Sequence, residues 1–295
     1  MAGQLKEVRN RIKSVQSTQQ ITKAMKMVSA AKLRRAQDSI VQMRPYAHKL
    51  QEMLSNIVSN AEGGSSIDLA EERAVKKVLM IVITSDRGLC GAYNANIQKK
   101  AISAIQEKYA AVAAEGGLTI WAIGKKGSEF FQKKGYQVDN RFRDTFLNLS
   151  FETVQACAQE AIKAFRQKEF DAIEVVYSEF KNAATQSYVA EPFLPIPRNA
   201  EEKGTVSKKS DFIFEPDKDL LIAELMPKIL NTQLYKAVLD CNASEHGARM
   251  TAMDKASENA NELLKTLKIS YNRARQAAIT TELTEIVSGA AALQG

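Results

Sequence analysis

The sequence predicts an α/β protein in two parts: a long antiparallel two-helix coiled coil formed by the N- and C-terminal segments, and an α/β domain inserted between them. Three observations lead there. Both ends of the chain carry apolar residues at alternating spacings of three and four, the period of a helix seam that faces another helix. Between residues 5 and 61 there is a single proline, Pro45, and the one earlier glycine is Gly3. The middle instead holds short apolar runs separated by turn formers and helical stretches, as a mainly parallel sheet requires.

The N-terminal segment, residues 1–62, is the clearest element. Leu33, Ala36, Ile40, Met43, Ala47, Leu50, Leu54, Ile57 and Ala61 keep the alternation, as do Leu5, Val8, Ile12 and Val15, followed by Ile21, Met25 and Val28. Pro45 removes a backbone donor, so a bend or a break is expected there. At 1.5 Å per residue a continuous helix reaches roughly 80 Å. The glycines and serines of residues 60–66 end it.

Residues 75–212 form the α/β domain. Residues 78–84 read as a buried strand, followed by a turn at 85–91 and a helix over 94–109. A strand at 118–123, a helix over 125–134 closed by Gly135, and a strand at 136–138 come next. A helix N-capped by Ser150 then runs to about residue 168. Strands at 172–180 and 186–193 are joined across residues 181–184, and Pro192, Pro195 and Pro197 place the last strand at an edge. Strand–helix alternation gives right-handed crossovers and a Rossmann-like domain. Residues 198–210 read as a polar loop.

Residues 217–293 are helical again, with a kink expected at Pro227. Met253, Ala256, Ala260, Leu263 and Leu267 repeat at three and four, and so do Ile279, Leu283, Ile286, Ala290 and Leu293. The simplest way to bury both stripes is against each other, antiparallel. Counted outward from the domain, the C-terminal helix is longer than its partner by about 19 residues, so a tip from about Gln276 to Leu293 extends unpaired by roughly 28 Å.

Bulk properties exclude several classes. With 45% hydrophobic and 25% charged residues the chain is that of a soluble globular protein. Its longest strongly apolar run, residues 78–83, is far short of the roughly 20 residues a membrane-spanning helix needs. No signal or transit peptide is recognisable, because the amphipathic basic pattern of the N-terminus continues for some fifty residues. Cys90, Cys157 and Cys241 are odd in number and far apart, which fits buried free thiols in a reducing compartment. Residues 1–50 hold eleven Lys or Arg against two acids, so the whole positive excess lies on the N-terminal helix. Its face asks for an acidic partner.

Candidate chemistry is sparse. The turn after the first strand has Gly88 and Gly91 but no G-x-G-x-x-G, and Gly117 to Gly124-Lys125-Lys126 has neither the spacing nor the Ser/Thr of a phosphate loop. The two histidines, His48 and His246, fall on the long helices as ordinary surface residues. No Cys, His, Asp or Glu cluster has metal-ligand spacing, and no cofactor or catalytic set is indicated. Lys23, Lys26, Lys32, Arg34 and Arg35 form a basic stretch without aromatics for stacking bases. On these residues alone a solvated face, a contact with acidic protein loops, and nucleic-acid binding all stay open. A nucleic-acid-binding coiled coil and a Rossmann-type enzyme are the rival classes.

Three stretches together resemble the gamma subunits of F-type ATP synthases: ITKAMKMVSAAKLRRAQ at 21–37, SDRGLCG at 85–91 with Asn94, and a C-terminal set. That set comprises Ser244, Glu245, Ala248, Arg249, Met250, Ala252 and Met253, then YNRARQAAIT at 271–280 and ELTEIVSGA at 282–290. Order, spacing and length agree over essentially the whole chain, and the form resembled is bacterial.

The resemblance implies a central rotor shaft inside a ring of three alpha and three beta subunits. Its α/β domain would join the epsilon subunit and the c ring, peripheral to the cytoplasmic face of the inner membrane, with no nucleic acid involved. Carried over by motif, Met25, Lys26, Lys32, Arg34 and Arg35 meet acidic beta-subunit loops, and Arg275, Gln276 and Thr280 touch a beta loop higher up. Ile279, Leu283, Ile286 and Val287 become an apolar bearing tip. Ser85, Asp86, Arg87, Gly88 and Gly91 form the α/β-domain turn. The cysteine-bearing insertion of chloroplast forms is missing, so thiol control is not implied. Gly247, inside the C-terminal helix, costs roughly 1 kcal/mol relative to Ala and either softens the shaft or permits close packing.

Overall fold

The computed structural model describes residues 2–59, 68–196 and 218–294. Its helices are α1 (Ala2–Ser59), α2 (Tyr93–Lys108), α3 (Ala110–Ala114), α4 (Lys125–Lys133), α5 (Phe151–Arg166) and α6 (Lys218–Gln294). Its strands are β1 (Val78–Ile83), β2 (Leu118–Ile123), β3 (Gln137–Asp139), β4 (Ala172–Phe180) and β5 (Gln186–Leu194). The expected turn at 60–66 and loop at 198–210 lie outside the described residues, as do Ala61, Pro197 and the side chains of Ala47, His48, Leu54, Ile57 and Leu293. Two units are described separately, one of Met1–Ala30 with Arg249–Gly295 and one of Ala31–Ala248.

In the larger unit the sheet order is β3-β2-β1-β4-β5. β1 pairs parallel with β2 and β4, β2 pairs parallel with β3, and β4 returns as an antiparallel hairpin with β5. The proline-bearing β5 is an edge strand, as its sequence predicts. Every residue of β1 is buried because the strand has a covered face on each side. Leu79, Ile81 and Ile83 pack with Val154, Cys157, Ala161 and Phe165 of α5. Val78, Met80 and Val82 pack with Tyr93, Ile97 and Ala101 of α2 and Phe131 of α4. The first core also takes Met226, Leu230, Leu234, Ala237, Val238 and Cys241 from α6. Each such fully buried aliphatic contributes about 1.5–3 kcal/mol, so this part of α6 is bound to the sheet by its side chains, not by helix propensity.

Neither proline breaks its helix: α1 continues through Pro45 and α6 through Pro227. Each proline forfeits one backbone bond. Flanking burial offsets that loss, from Ile40 and Leu50 in α1 and from Met226, Ile229 and Leu230 in α6.

The smaller unit pairs the start of α1 with the end of α6, antiparallel, since Thr22 meets Ser257 and Lys26 meets Asp254. The covered positions of α1 include Leu5, Val8, Ile12, Val15, Gln19, Thr22, Lys26 and Ser29, with Met25 and Ala30 half-buried beside them. Those of α6 include Met253, Ser257, Ala260, Leu264, Leu267, Tyr271, Ala274, Ala278 and Thr281, while almost every residue from Arg249 to Ala256 is also at least half-buried. The named lines alternate by three and four, and beyond Ser257 the line on α6 is the whole of the covered surface among the described side chains. This corrects the seam inferred from apolar residues alone: Ile21 and Val28 are 59% and 57% exposed, and Leu264 is buried where Leu263 was expected.

A seam has one phase along a helix. Stepping on from Val15 by four and three gives Gln19 and Thr22, whatever their polarity. The seam tolerates hydroxyls because each can donate to a carbonyl of its own helix: Thr22 to Gln19, Ser29 to Met25 and Ser257 to Met253. The Thr22 and Ser257 hydroxyls lie 2.7 Å apart, and since each has one proton, one of them gives it to the other in place of its own carbonyl.

That pair gives a test. Thr22→Val alone leaves the Ser257 hydroxyl without its cross-helix partner and is expected to cost about 0.5–1.5 kcal/mol in chemical denaturation. Thr22→Val with Ser257→Ala, which leaves no orphaned hydroxyl, should recover most of it. Additive costs in the double variant would contradict the packing described.

Candidate functional site

The turn between β1 and α2 is held by its own side chains. Asn94, in the first turn of α2, accepts from the Ser85 backbone N–H at 3.0 Å and donates to the Ser85 hydroxyl at 2.7 Å. The Ser85 hydroxyl donates to the Arg87 carbonyl at 2.7 Å. Asp86 accepts from the Lys125 N–H at 3.1 Å, and the Thr84 hydroxyl accepts from the Gly127 N–H at 2.8 Å. Together with the Lys126 N–H, which reaches the Ser85 carbonyl, the first three amides of α4 are satisfied internally. A phosphate would need those amides, so the Gly124-Lys125-Lys126 candidate is occupied by the β1 turn.

Gly124 is required there, because an added Cβ would stand 2.1 Å from the Thr84 carbonyl oxygen at a φ of +98°. The turn presents Arg87, Gly88 and Leu89 outward. Leu89 adopts φ 64° and is 66% exposed, an apolar side chain held in a left-handed conformation that leucine rarely takes.

The basic residues of α1 divide. Lys32, Arg34 and Arg35 are exposed on its flank in the larger unit. In the smaller unit Met25 is half-buried, and the Lys26 ammonium pairs with the Asp254 carboxylate across the helix pair. Both of those side chains are more than a third exposed, so the pair contributes little to stability and acts mainly as a register mark. On α6, Arg275, Gln276 and Thr280 are exposed beside the seam, with the Thr280 hydroxyl donating to the Gln276 carbonyl. Ile279, Leu283, Ile286 and Val287 are exposed too. Seam burial ends at Thr281, and every described side chain from 282 to 291 is exposed. The unpaired tip therefore starts about five residues later than counting along the chain suggested. Sequence reasoning missed Ile21, Met27 and Val28 as an outward apolar group, although the heptad phase carried from Val15 would have found them.

His246 is buried on α6, not a surface residue, because that stretch of helix packs into the larger unit. The side chain of His48 lies outside the described residues. All three cysteines are buried free thiols, as expected. Burial pushes the Cys157 thiol well up and the Cys241 thiol up to about 12.

A family model described as ATP synthase matches residues 4–293. The ATP synthase gamma chain of Cytophaga hutchinsonii is 54% identical over 290 residues, covering 98% of each chain. That of Flavobacterium johnsoniae is 51% identical over 292 residues, covering 99% of each. Among solved structures, a chain of the Euglena gracilis mitochondrial ATP synthase described as OSCP/F1/c-ring, rotational state 3, superposes with a TM-score of 0.66 at 20% identity. The match covers 99% of this chain and 95% of that one. The Euglena rotor in rotational state 1 gives a TM-score of 0.63 at 20% identity, covering 95% of this chain and all of that one. These two likenesses establish the fold.

The thiols supply a pH prediction. A thiol whose folded pKa is raised stays neutral in the fold while the unfolded chain ionises it near about 8.5. Its stabilisation is complete below that pH and is lost as pH rises toward about 12. At pH 8 a disulfide reagent should therefore leave Cys157 and Cys241 unmodified in the folded chain and label both on unfolding. Peptide mapping that finds either labelled as fast as in the unfolded chain would contradict the burial described.

Proposed function

Since the chain belongs to the ATP synthase gamma chain family along almost its whole length, we propose that it is the central rotor shaft of an F-type ATP synthase. It couples proton-driven rotation of the membrane c ring to conformational cycling of the catalytic beta subunits, and the reverse during hydrolysis. The observation that carries this reading is α6, an unbroken helix of 77 residues. Its early turns belong to the α/β core, and its last described turns expose only side chains with nothing packed on them. A helix of that kind transmits force, and its apolar end needs an enclosing partner.

The partners are three alpha and three beta subunits around the helices, with the epsilon subunit and the c ring at the α/β domain. The chain itself is non-catalytic. Two features support this: the amides of the one phosphate-loop candidate are engaged by Asp86, Thr84 and the Ser85 carbonyl, and no catalytic set stands in the sequence. Among the described residues no helix is long and apolar enough to cross a membrane. The chain sits peripherally at the cytoplasmic face of the bacterial inner membrane through its partners.

Met25, Lys26, Lys32, Arg34 and Arg35 meet acidic loops of the beta subunits, and Arg275, Gln276 and Thr280 meet a second beta loop. Ile279, Leu283, Ile286 and Val287 turn within an apolar sleeve. A rod sweeping past three equivalent neighbours cannot interlock deeply with each. Exposed cations such as Arg34 and Arg35 attract acidic loops over a Debye length of about 8 Å and release them without a large barrier.

Reversing both charges, Arg34→Glu with Arg35→Glu, should leave the denaturation midpoint of the chain within about 1 kcal/mol of the parent, because exposed charges contribute little to folding. In membrane vesicles the same variant should lower ATP synthesis several-fold in fully assembled complexes. Normal synthesis by assembled complexes carrying the variant would overturn the assignment of these residues.

A further inference from the structure

At the carboxyl edge of the sheet, β1 and β4 stop pairing after Val82 and Val176. This is where the strand order reverses, since the chain leaves β1 for β2 on one side and returns to β4 on the other. In open α/β sheets that crevice is where ligands bind. Here the chain's own helix fills it. The Cys241 sulfur of α6 accepts from the Ser178 N–H of β4 at 3.2 Å and donates to the Ile83 carbonyl of β1 at 3.7 Å. One side-chain atom thus stands in for the next rung of the ladder, and a thiol can do so because it both donates and accepts.

Three further contacts lie along the same stretch of α6. The buried Tyr93 hydroxyl donates to the Cys241 carbonyl at 3.0 Å, tying in α2. Three residues on, the Ser244 hydroxyl donates to the Ser178 carbonyl at 3.3 Å. Three residues further, a Cβ added to Gly247 would stand 3.1 Å from the Ala183 carbonyl oxygen, in the turn between β4 and β5. That turn is itself stiff, because Asn182 accepts from the N–H groups of both Ala184 and Thr185. Gly247 therefore serves close packing. Cys241, Ser244 and Gly247 repeat at three, so they line one side of the helix.

Resting on the rotor reading above, we propose that residues 241–247 of α6 are the positioning element through which torque on the α/β domain enters the shaft. Their contacts are directional and lie to one side of the helix axis. Rolling α6 by one residue, about 100°, takes Cys241 out of the crevice, and sliding it by one residue, about 1.5 Å, separates the sulfur from both strands. Apolar packing alone is non-directional and would permit such slip.

The test uses the whole complex in proteoliposomes, with ATP hydrolysis and ATP-driven proton pumping measured together. For Cys241→Ala with Ser244→Ala, the protons pumped per ATP should fall by about threefold or more while hydrolysis per assembled complex stays near wild type, as expected when two anchoring bonds are removed. Cys241→Ser, which keeps a donor and an acceptor, should restore most of the ratio.

A merely structural role would lower the amount of assembled complex and leave the ratio unchanged, and that result overturns the proposal. If the double variant does not assemble, Tyr93→Phe removes a single anchor, and a wild-type ratio in that variant overturns the proposal equally. Failure of the rotor reading looks different, because wild-type complexes would then pump protons without this chain.

Discussion

One helix has to satisfy two different surfaces with one period, and the architecture follows from that constraint. Between Met226 and Cys241, α6 gives Met226, Leu230, Leu234, Ala237, Val238 and Cys241 to the core on one face of the sheet. From about Ser257 onward its covered residues narrow to a stripe at three and four that faces another helix. A sheet face is broad and wants Met226, Leu230, Leu234 and Val238 together with their neighbours. A coiled-coil seam wants a single line of residues. The change from one to the other falls where Cys241, Ser244 and Gly247 add directional contacts to the apolar ones. There a helix committed to two surfaces gains most from a fixed rotation about its own axis.

The second consequence concerns the composition of the seam. Gln19, Thr22, Lys26 and Ser29 of α1, with Ser257 of α6, place polar groups where a coiled coil built for stability would have leucine. Thr22, Ser29 and Ser257 bond within the helix pair and the Lys26–Asp254 pair is half in water, so the cost is modest while the register is specified. Three apolar residues of this stretch, Ile21, Met27 and Val28, point outward instead. Exposed apolar groups of this kind mark surfaces that a partner can cover, and Leu283, Ile286 and Val287 are exposed in the same way.

Much of this was legible in the sequence. β2 and β4 begin and end where their apolar runs do, and Ser150 caps α5 through the Thr153 N–H. The motifs pointed to the family that the comparisons establish. Periodicity failed where chemistry and geometry part company. Searching for apolar residues shifted the seam to Ile21 and Val28, because hydroxyl residues that satisfy themselves are invisible to such a search, and it chose Leu263 over Leu264 because two adjacent leucines give no phase. His246 read as a surface residue because nothing in its local pattern says that α6 is packing on a sheet at that point. A break, one of the two outcomes expected at Pro45, does not occur, because local propensity cannot see the burial on either side of it. The contacts of Cys241 had no sequence signal at all, since they join strands and a helix far apart in the chain.

Hydrogen exchange along α6 in the isolated chain tests the dual role of this helix most directly. Amides between residues 230 and 248 should exchange together with those of β1 and β4, those facing α1 should exchange sooner, and those beyond Thr281 soonest. Exchange of 230–248 well before the strands open, or uniform protection along the whole helix, would contradict the account.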